Sequence, residues 1–403
     1  PPILVCPRCA LRGEGPRCPR DGAWLVTEEA WHAAPHDGML GAIIDGRYAI
    51  TRRIGVGGMG AVYEGLDRTH QKVVALKFLR PQYANHGALR QRFVREAEAA
   101  AAVRSPYVVP LLDFGVEPDG TLWMAMEFVR GWTIRDEVNR RGGLEVDVAI
   151  RLTRQVLLGL EAIHAAGLIH RDLKHDNIMF VGDRRRFSAR VLDFGVVKSA
   201  IADVHSREGK GLQTATGVLV GSPSYMAPEQ IRGLEVGPPA DLYALGVILW
   251  EGLTARRLFT AQDYESLRRR GARRDAPELT TTARGEHLPP NFSRIIARSL
   301  RRDPAERFPD ARTMLMALDQ IDRVPEPLPE DLLADPGPVE PLLSAPTPLP
   351  APPVAGRPTP AVEAQASGPE TPPVPPAWAK AAAFAGAMAV GWILAYLAWS
   401  LGG

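Results

Sequence analysis

Apolar and polar residues alternate from Tyr48 to Ile54, through Ala61-Val62-Tyr63, and along Val73-Val74-Ala75-Leu76-Lys77-Phe78, a period that predicts neighbouring strands. The turn Gly55-Val56-Gly57-Gly58-Met59-Gly60 joins the first two. Helical spacing takes over from Leu89 to Val103 and is closed by Ser105-Pro106. Two more strands, at about 108 to 115 and 121 to 128, flank the turn Pro118-Asp119-Gly120. Past the short connection Met126 to Gly131, helical periodicity runs over Thr133 to Asn139 and Val146 to Ala166, and again from Asp241 to Leu253. The pattern predicts an α+β protein with a smaller, strand-rich lobe, a larger helical lobe and a cleft between them.

After Arg323 the pattern stops. Roughly a third of residues 324–377 are Pro, with Ala, Glu and Thr, a composition that builds no packed core and predicts a disordered, partly extended linker. The stretch from Ala381 to Leu401 then carries no charge, long enough for a helix of about 30 Å. Lys380 precedes it and Trp378 and Trp399 lie near its ends, so residues 378–402 read as a single membrane-spanning helix with Lys380 on the cytoplasmic side. With almost nothing beyond it, no external sensor domain is expected. Ala383, Ala387, Gly391 and Ala395 form a stripe of small residues that chance explains as well as helix pairing does.

The 403 residues carry a formal charge of only +2, which gives no reason to expect a nucleic-acid partner. The basic run Arg268 to Arg274 reads as a solvated helix face. All three cysteines precede residue 20, so no disulfide framework exists and a reducing compartment is expected. Cys6-Pro-Arg-Cys9 and Cys18-Pro-Arg-Asp21-Gly22 form two turn-like knuckles over residues 1–40. Thiolates at that spacing can converge on one tetrahedral Zn²⁺, which would supply most of the folding energy of so small a region. It looks like a zinc ribbon whose fourth Cys has become Asp; Asp21, His32 and His36 all stand open as the fourth ligand, beside the alternative of three thiols on a loose tail. The chain starts at Pro rather than Met, which leaves room for residues upstream.

Candidate chemistry concentrates in Ile169-His170-Arg171-Asp172-Leu173-Lys174-His175-Asp176-Asn177. Asp172, Lys174 and Asn177 offer a proton acceptor, a phosphate-neutralising cation and a metal ligand in one loop. Leu192-Asp193-Phe194-Gly195 adds a second metal-binding carboxylate after a strand-like run. Glycines between two strands let backbone amides approach phosphate oxygens, and the strand that follows them excludes a Rossmann site, which needs a helix there. Lys77 can grip phosphates if the next helix brings a carboxylate; Glu96, in Phe93-x-x-Glu96-Ala97, is favoured over Glu98.

Taken together and in this order, the motifs from about 48 to 322 resemble those of bacterial Hanks-type serine/threonine protein kinases. The resemblance implies a bilobal protein kinase fold, with an N-lobe over 48–129, a C-lobe over 132–322 and an ATP cleft between them. It implies that Gly55, Gly57 and Gly60 form a phosphate lid, that Lys77 pairs with Glu96, and that Asn177 and Asp193 hold Mg²⁺. Met126 resembles a gatekeeper; Glu127 and Val129 would meet the adenine edge, and Ile54, Val62, Ala75 and Met179 would enclose the base. Asp172 would accept the substrate proton and Lys174 would neutralise the γ-phosphate. His175 departs from the more usual Pro, with little effect expected. An activation segment would run from Asp193 to Glu229, with Thr214 and Thr216 at the spacing of autophosphorylation sites and Arg171 as the docking cation. Asp241 resembles the residue that braces the catalytic loop, and Arg307 would pair with Glu229.

These readings imply an inner-membrane, single-pass enzyme with a cytoplasmic kinase domain, protein substrates, and a homodimer that allows autophosphorylation. Two other classes compete. A pseudokinase scaffold binding partners through the ribbon is disfavoured by Lys77, Asp172, Asn177 and Asp193. A small-molecule phosphotransferase is disfavoured by Ala227-Pro228-Glu229 and the long activation segment.

Overall fold

The computed structural model describes residues 3–80, 87–184, 186–193, 195, 223–260, 263, 266 and 276–321. Both threonines of the activation segment, the basic run, the proline-rich stretch and the apolar C-terminal stretch lie outside them. No helix among the described residues is long and apolar enough to cross a membrane.

The N-terminal region forms a three-stranded antiparallel ribbon, β1 (Leu4–Val5), β2 (Arg12–Gly13) and β3 (Val26–Thr27), in the order β2-β1-β3. Cys6, Cys18, Ala23 and Leu25 are its buried centre. A short helix, α1 (Glu28–Ala33), starts where the Thr27 hydroxyl accepts from the Ala30 N–H at 3.2 Å, a capping bond that satisfies one of the orphan donors of the first turn.

Six strands follow in one antiparallel sheet: β4 (Ile43–Ile44), β5 (Tyr48–Val56), β6 (Gly60–Asp67), β7 (Lys72–Leu79), β8 (Leu111–Val116) and β9 (Leu122–Glu127), in the order β4-β5-β6-β7-β9-β8. Val74, Leu76 and Phe78 of β7 point to one face, where they pack with Tyr48, Tyr63 and Trp123. Ala34 and Leu40 cover that same face from the segment after α1, and Ile44 of β4 joins the cluster. Helix α2 (Gly87–Ala101) buries Leu89, Phe93, Ala97 and Ala100, a spacing of three and four that lays one stripe against the rest of the core.

The second lobe holds α3 (Ile134–Arg141) and α4 (Val146–Ala165), then the small sheet β10 (Trp132–Thr133), β11 (Ile178–Gly182) and β12 (Phe187–Val191), then α5 (Pro228–Ile231), α6 (Pro238–Thr254), α7 (Pro290–Ser299) and α8 (Ala311–Asp319). A reciprocal box between Thr133 and Asp136 starts α3, and Gly142 at φ 71° ends it. Every residue of α6 from Ala240 to Leu253 is buried, because apart from Asp241 and Glu251 this helix is apolar on all sides and forms the centre of the lobe.

Candidate active site

The alternation that buries Val74, Leu76 and Phe78 turns Lys77 to the opposite face of β7. Its ammonium donates to both carboxylate oxygens of Asp193, at 2.6 and 2.5 Å. The sequence leads one to expect Glu96 as the partner of Lys77; the carboxylate found in two-oxygen contact with it is Asp193. Lys77 and Asp193 are opposite charges facing each other, 11% and 26% exposed, and a two-oxygen contact neutralises both. Glu96 is half-buried on α2 while Glu98 faces solvent, so of the two the favoured glutamate is the one that turns inward.

The loop carrying Asp172 is pinned from beneath. Asp241 of α6, 1% exposed, accepts from the backbone N–H groups of His170 at 2.8 Å and Arg171 at 2.9 Å, and from His164 Nε2 at 2.9 Å. Burial pushes the Asp241 carboxyl up, but the His164 bond and charge, with the loop amide, outweigh it and hold the group below the ordinary carboxylate range. Arg171 adopts a left-handed φ of 58°, a conformation costing a residue with a Cβ about 1–2 kcal/mol. The bonds from Asp241, and the one its carbonyl accepts from Gln230 Nε2 at 3.2 Å, over-determine it.

His170 joins this loop to the next. Its Nε2 donates to the Leu192 carbonyl at 2.9 Å, beside Asp193, which itself has φ 56°. A Cβ on Gly195 would stand 2.1 Å from the His170 carbonyl oxygen, so only glycine lets the two loops approach this closely. Asn177 Nδ2 donates to the Asp172 carbonyl at 2.8 Å, which assigns the remaining amide oxygen as an acceptor for a cation. Lys174 Nζ lies 3.8 Å from Asp172 Oδ2. Asp172, Lys174, Asn177 and Asp193 thus belong to two loops tied together by backbone and imidazole bonds.

Between β5 and β6, the glycine turn closes with Gly57 N–H donating to the Gly60 carbonyl at 2.7 Å. Gly55, Gly57 and Gly58 are exposed, while a Cβ on Gly60 would stand 1.8 Å from the Phe78 carbonyl oxygen. Val62 lies across from Lys77 and Ala75 across from Met126 in the sheet register. Glu127, Val129 and Met179 are half-buried, Met126 is buried and Ile54 is exposed. Thr214 and Thr216 lie outside the described residues.

Two further pairs tie down the lobe. Arg307 donates to both oxygens of Glu229, at 2.7 and 2.8 Å, with its side chain fully buried, as the sequence leads one to expect. Arg135 makes the same two-pronged contact with Asp176, at 2.6 and 2.8 Å.

His175 has more to do than the sequence suggests. The ring is buried, its Nε2 donates to the Ile248 carbonyl at 3.2 Å, and its Nδ1 therefore accepts from the Tyr225 hydroxyl at 2.7 Å. Burial, with the nearby Arg135 charge second, pushes the imidazole down to about 4, so the ring is neutral. It joins the loop of Asp172 to the end of the activation segment and to α6. No spacing rule flags such a residue, since its partners lie 50 and 73 positions away.

Comparison with known proteins agrees with this geometry. The model of the protein kinase domain matches residues 48–317. The chain is 36% identical over 272 residues to the serine/threonine-protein kinase PknD of Mycobacterium tuberculosis, a match covering 68% of this chain and 39% of that protein. It is 35% identical over 288 residues to pkn3 of Myxococcus xanthus, covering 71% and 52%. The chain thus spans between about two fifths and half of the length of these two relatives. Among solved structures, the kinase domain of PknI from M. tuberculosis superposes with a TM-score of 0.53 at 26% identity, over 69% of this chain and 98% of that one. Rad53 1–466, solved with AMP-PNP, gives 0.52 at 26% identity, over 67% and 64%. A match that takes in both lobes, from the first long strand to the last described helix, shows that this chain belongs to the protein kinase domain family, with bacterial serine/threonine kinases among its relatives.

Proposed function

We propose that this chain is an active, membrane-tethered serine/threonine protein kinase that transfers the γ-phosphoryl group of ATP to protein hydroxyls. The observation that carries this reading is the pinning of the Asp172 loop by Asp241 and its stitching through His170 to the loop of Asp193. Phosphoryl transfer asks little of a protein beyond position and charge, and a braced loop supplies both.

The residues present fit a magnesium nucleotide: a carboxylate on Asp193, the Asn177 amide oxygen, and a glycine turn where Gly60 lets backbones close on each other. Mg²⁺, when bound, neutralises phosphate charge. Lys77 would exchange Asp193 for the α- and β-phosphates, Asp172 would take the proton of the incoming hydroxyl, and Lys174 would face the γ-phosphate. Phosphate on Thr214 or Thr216, docked by Arg171, would order the activation segment, and copies meeting on the membrane would modify each other. The uncharged stretch 381–401 supports an inner-membrane anchor with the kinase in the cytoplasm. In the same reading the N-terminal ribbon is a structural zinc module.

The test is phosphate incorporation by the full chain with Mg²⁺ and ATP, beside Asp172→Asn, with modified sites mapped by mass spectrometry. Label on Thr214 or Thr216 in the parent, reduced at least about 100-fold in the variant, is expected. Folded, ATP-binding parent that labels neither itself nor protein acceptors would overturn the reading. Removing residues 378–402 should move the chain from the membrane to the soluble fraction; unchanged fractionation would sink the anchor.

A further inference from the structure

The two knuckles of the ribbon are copies of one another. Cys6 N–H donates to the Leu11 carbonyl at 2.8 Å and Ala10 N–H to the Cys6 carbonyl at 2.9 Å. Cys18 N–H donates to the Ala23 carbonyl at 2.8 Å and Gly22 N–H to the Cys18 carbonyl at 3.0 Å, the same pattern at the same offsets. Ala10 and Gly22, the equivalent positions, both take left-handed backbone, at φ 57° and 72°. The shared offsets set Asp21 where the first knuckle has Cys9. Ala10 has no need of that conformation on its own account, and the repeat argues that both turns are shaped for one task.

The side chains converge accordingly. One ligand atom from each of Cys6, Cys9, Cys18 and Asp21 lies within 4.8 Å of all the others. Cys9 and Cys18 sulfurs are 3.6 Å apart, and Cys6 Sγ is 3.3 Å from Asp21 Oδ2. Bond lengths of zinc to sulfur and to carboxylate oxygen, set at tetrahedral angles, require edges of about 3.8 and 3.5 Å. These two edges already match an ion-centred tetrahedron to within tenths of an ångström, and the others lie within 4.8 Å. The outer contacts are also those of a ligated set: Asp21 Oδ1 accepts from the Ala23 N–H at 2.9 Å, leaving Oδ2 for a metal, and Cys6 Sγ accepts from the Arg8 N–H at 3.4 Å. His32 lies 3.8 Å from Glu28 instead, and His36 is exposed; neither joins the group.

We propose that Cys6, Cys9, Cys18 and Asp21 form a tetrahedral Zn²⁺ site of three thiolates and one carboxylate, and that the loaded ribbon is a strut for the N-lobe sheet. This rests on the zinc-module reading above and names its ligands and its load path. Three thiolates and a carboxylate bring four negative charges against two positive, and Arg8, Arg17 and Arg20 beside the knuckles offset the excess. Pro7, inside the first knuckle, stands where a Cβ on Gly41 would come within 2.6 Å, and Gly41 has φ 73°. The Gly41 carbonyl accepts from Trp24 N–H at 2.9 Å, while the Gly41 N–H donates to Ile50 of β5 at 3.0 Å. One glycine thus passes the position of the ribbon directly to the second strand of the kinase sheet.

The experiment measures metal content and Co²⁺ spectra of the full chain, purified with zinc, for the parent, Asp21→Ala, Asp21→Cys, Cys9→Ser and His32→Ala. We expect one Zn²⁺ in the parent, its retention in His32→Ala and Asp21→Cys, and affinity at least about 10-fold weaker in Asp21→Ala and Cys9→Ser. Asp21→Cys should strengthen the thiolate-to-cobalt absorption. Circular dichroism of each variant separates loss of a ligand from loss of the kinase fold. A parent that takes up neither Zn²⁺ nor Co²⁺ overturns both the module and its ligands. A parent that holds zinc while Asp21→Ala binds it equally, with the same cobalt spectrum, overturns the fourth ligand alone. For the strut, chelation should speed hydrogen exchange at residues 41–50; unchanged exchange there after metal loss overturns that part. None of these readouts depends on kinase activity.

Discussion

At His175 one imidazole is held from both nitrogens, by a hydroxyl and a carbonyl, inside a loop otherwise rich in charge. The unfolded chain protonates this ring near pH 6.5, whereas the folded protein resists until about 4. Below 6.5 the unfolded state therefore binds more protons, and stability falls as pH drops through that window, then levels off beneath it. The effect is at most about 3 kcal/mol, a ceiling set by the width of the window. Glu251, raised mainly by its burial, works in the opposite direction over part of the same range. The informative measurement is therefore the difference between parent and His175→Gln in urea midpoints from pH 7 to 4.5. The variant should start lower and decline less; parallel curves would show that His175 does not carry the dependence. A second residue-scale prediction concerns Asp241. Asp241→Asn keeps the size but removes the charge that draws two amides and an imidazole, and should cost about 3–5 kcal/mol with kinase activity lost together with loop order.

Elements carry the site by pairing features that local sequence does display. The two-residue alternation of β7 shows which residues face the core and that Lys77 faces away from them, before any partner is known. The Gly60 position is legible as a turn glycine, yet its reason is tertiary: the Phe78 carbonyl of the neighbouring strand leaves no room for a Cβ. Gly60→Val should accordingly disturb the β6–β7 register and weaken ATP binding at least about 10-fold, measured by fluorescence titration of a nucleotide analogue. The Glu229–Arg307 pair links α5 to the turn before α8, and the Arg307 guanidinium also donates to the carbonyls of Pro239, Arg301 and Arg302. Breaking one side leaves a charge buried, so Arg307→Leu should destabilise by about 3–5 kcal/mol in chemical denaturation, with Arg307→Leu/Glu229→Leu recovering part of the loss.

Across the described residues as one body, the N-terminal segment is continuous with the kinase domain. Leu40, 1% exposed, and Ala34 cover the face of the six-stranded sheet that carries Tyr48, Ile50, Tyr63, Leu76 and Trp123. Asp37 accepts from Arg53 at 3.1 Å and from Tyr63 at 3.0 Å across the same seam. Burial and the Asp37 charge push the Tyr63 hydroxyl well above its ordinary range, so it remains a donor there. Leu40→Ala should cost about 2–4 kcal/mol, and the sign to look for is a lower melting temperature of the kinase domain rather than of the ribbon alone. An unchanged melting temperature would mean that the covering segment is dispensable to the sheet.

What the sequence by itself determined is the set of parts: strand and helix periods, the glycine turn, the acid, amide and lysine of the catalytic loop, and two knuckles at metal-binding spacing. Those signals are local, since hydrogen-bond periodicity and loop chemistry act over a few residues. Only the tertiary structure decided the partnerships. It set Lys77 on Asp193, 116 positions further along the chain. It made His175 a buried junction, brought Asp21 and not a histidine to the three cysteines, and laid Leu40 on the kinase sheet. Each of these depends on which charges and apolar faces meet when distant segments pack, and that choice is made by burial and Coulomb energy in the assembled core, where no local period records it.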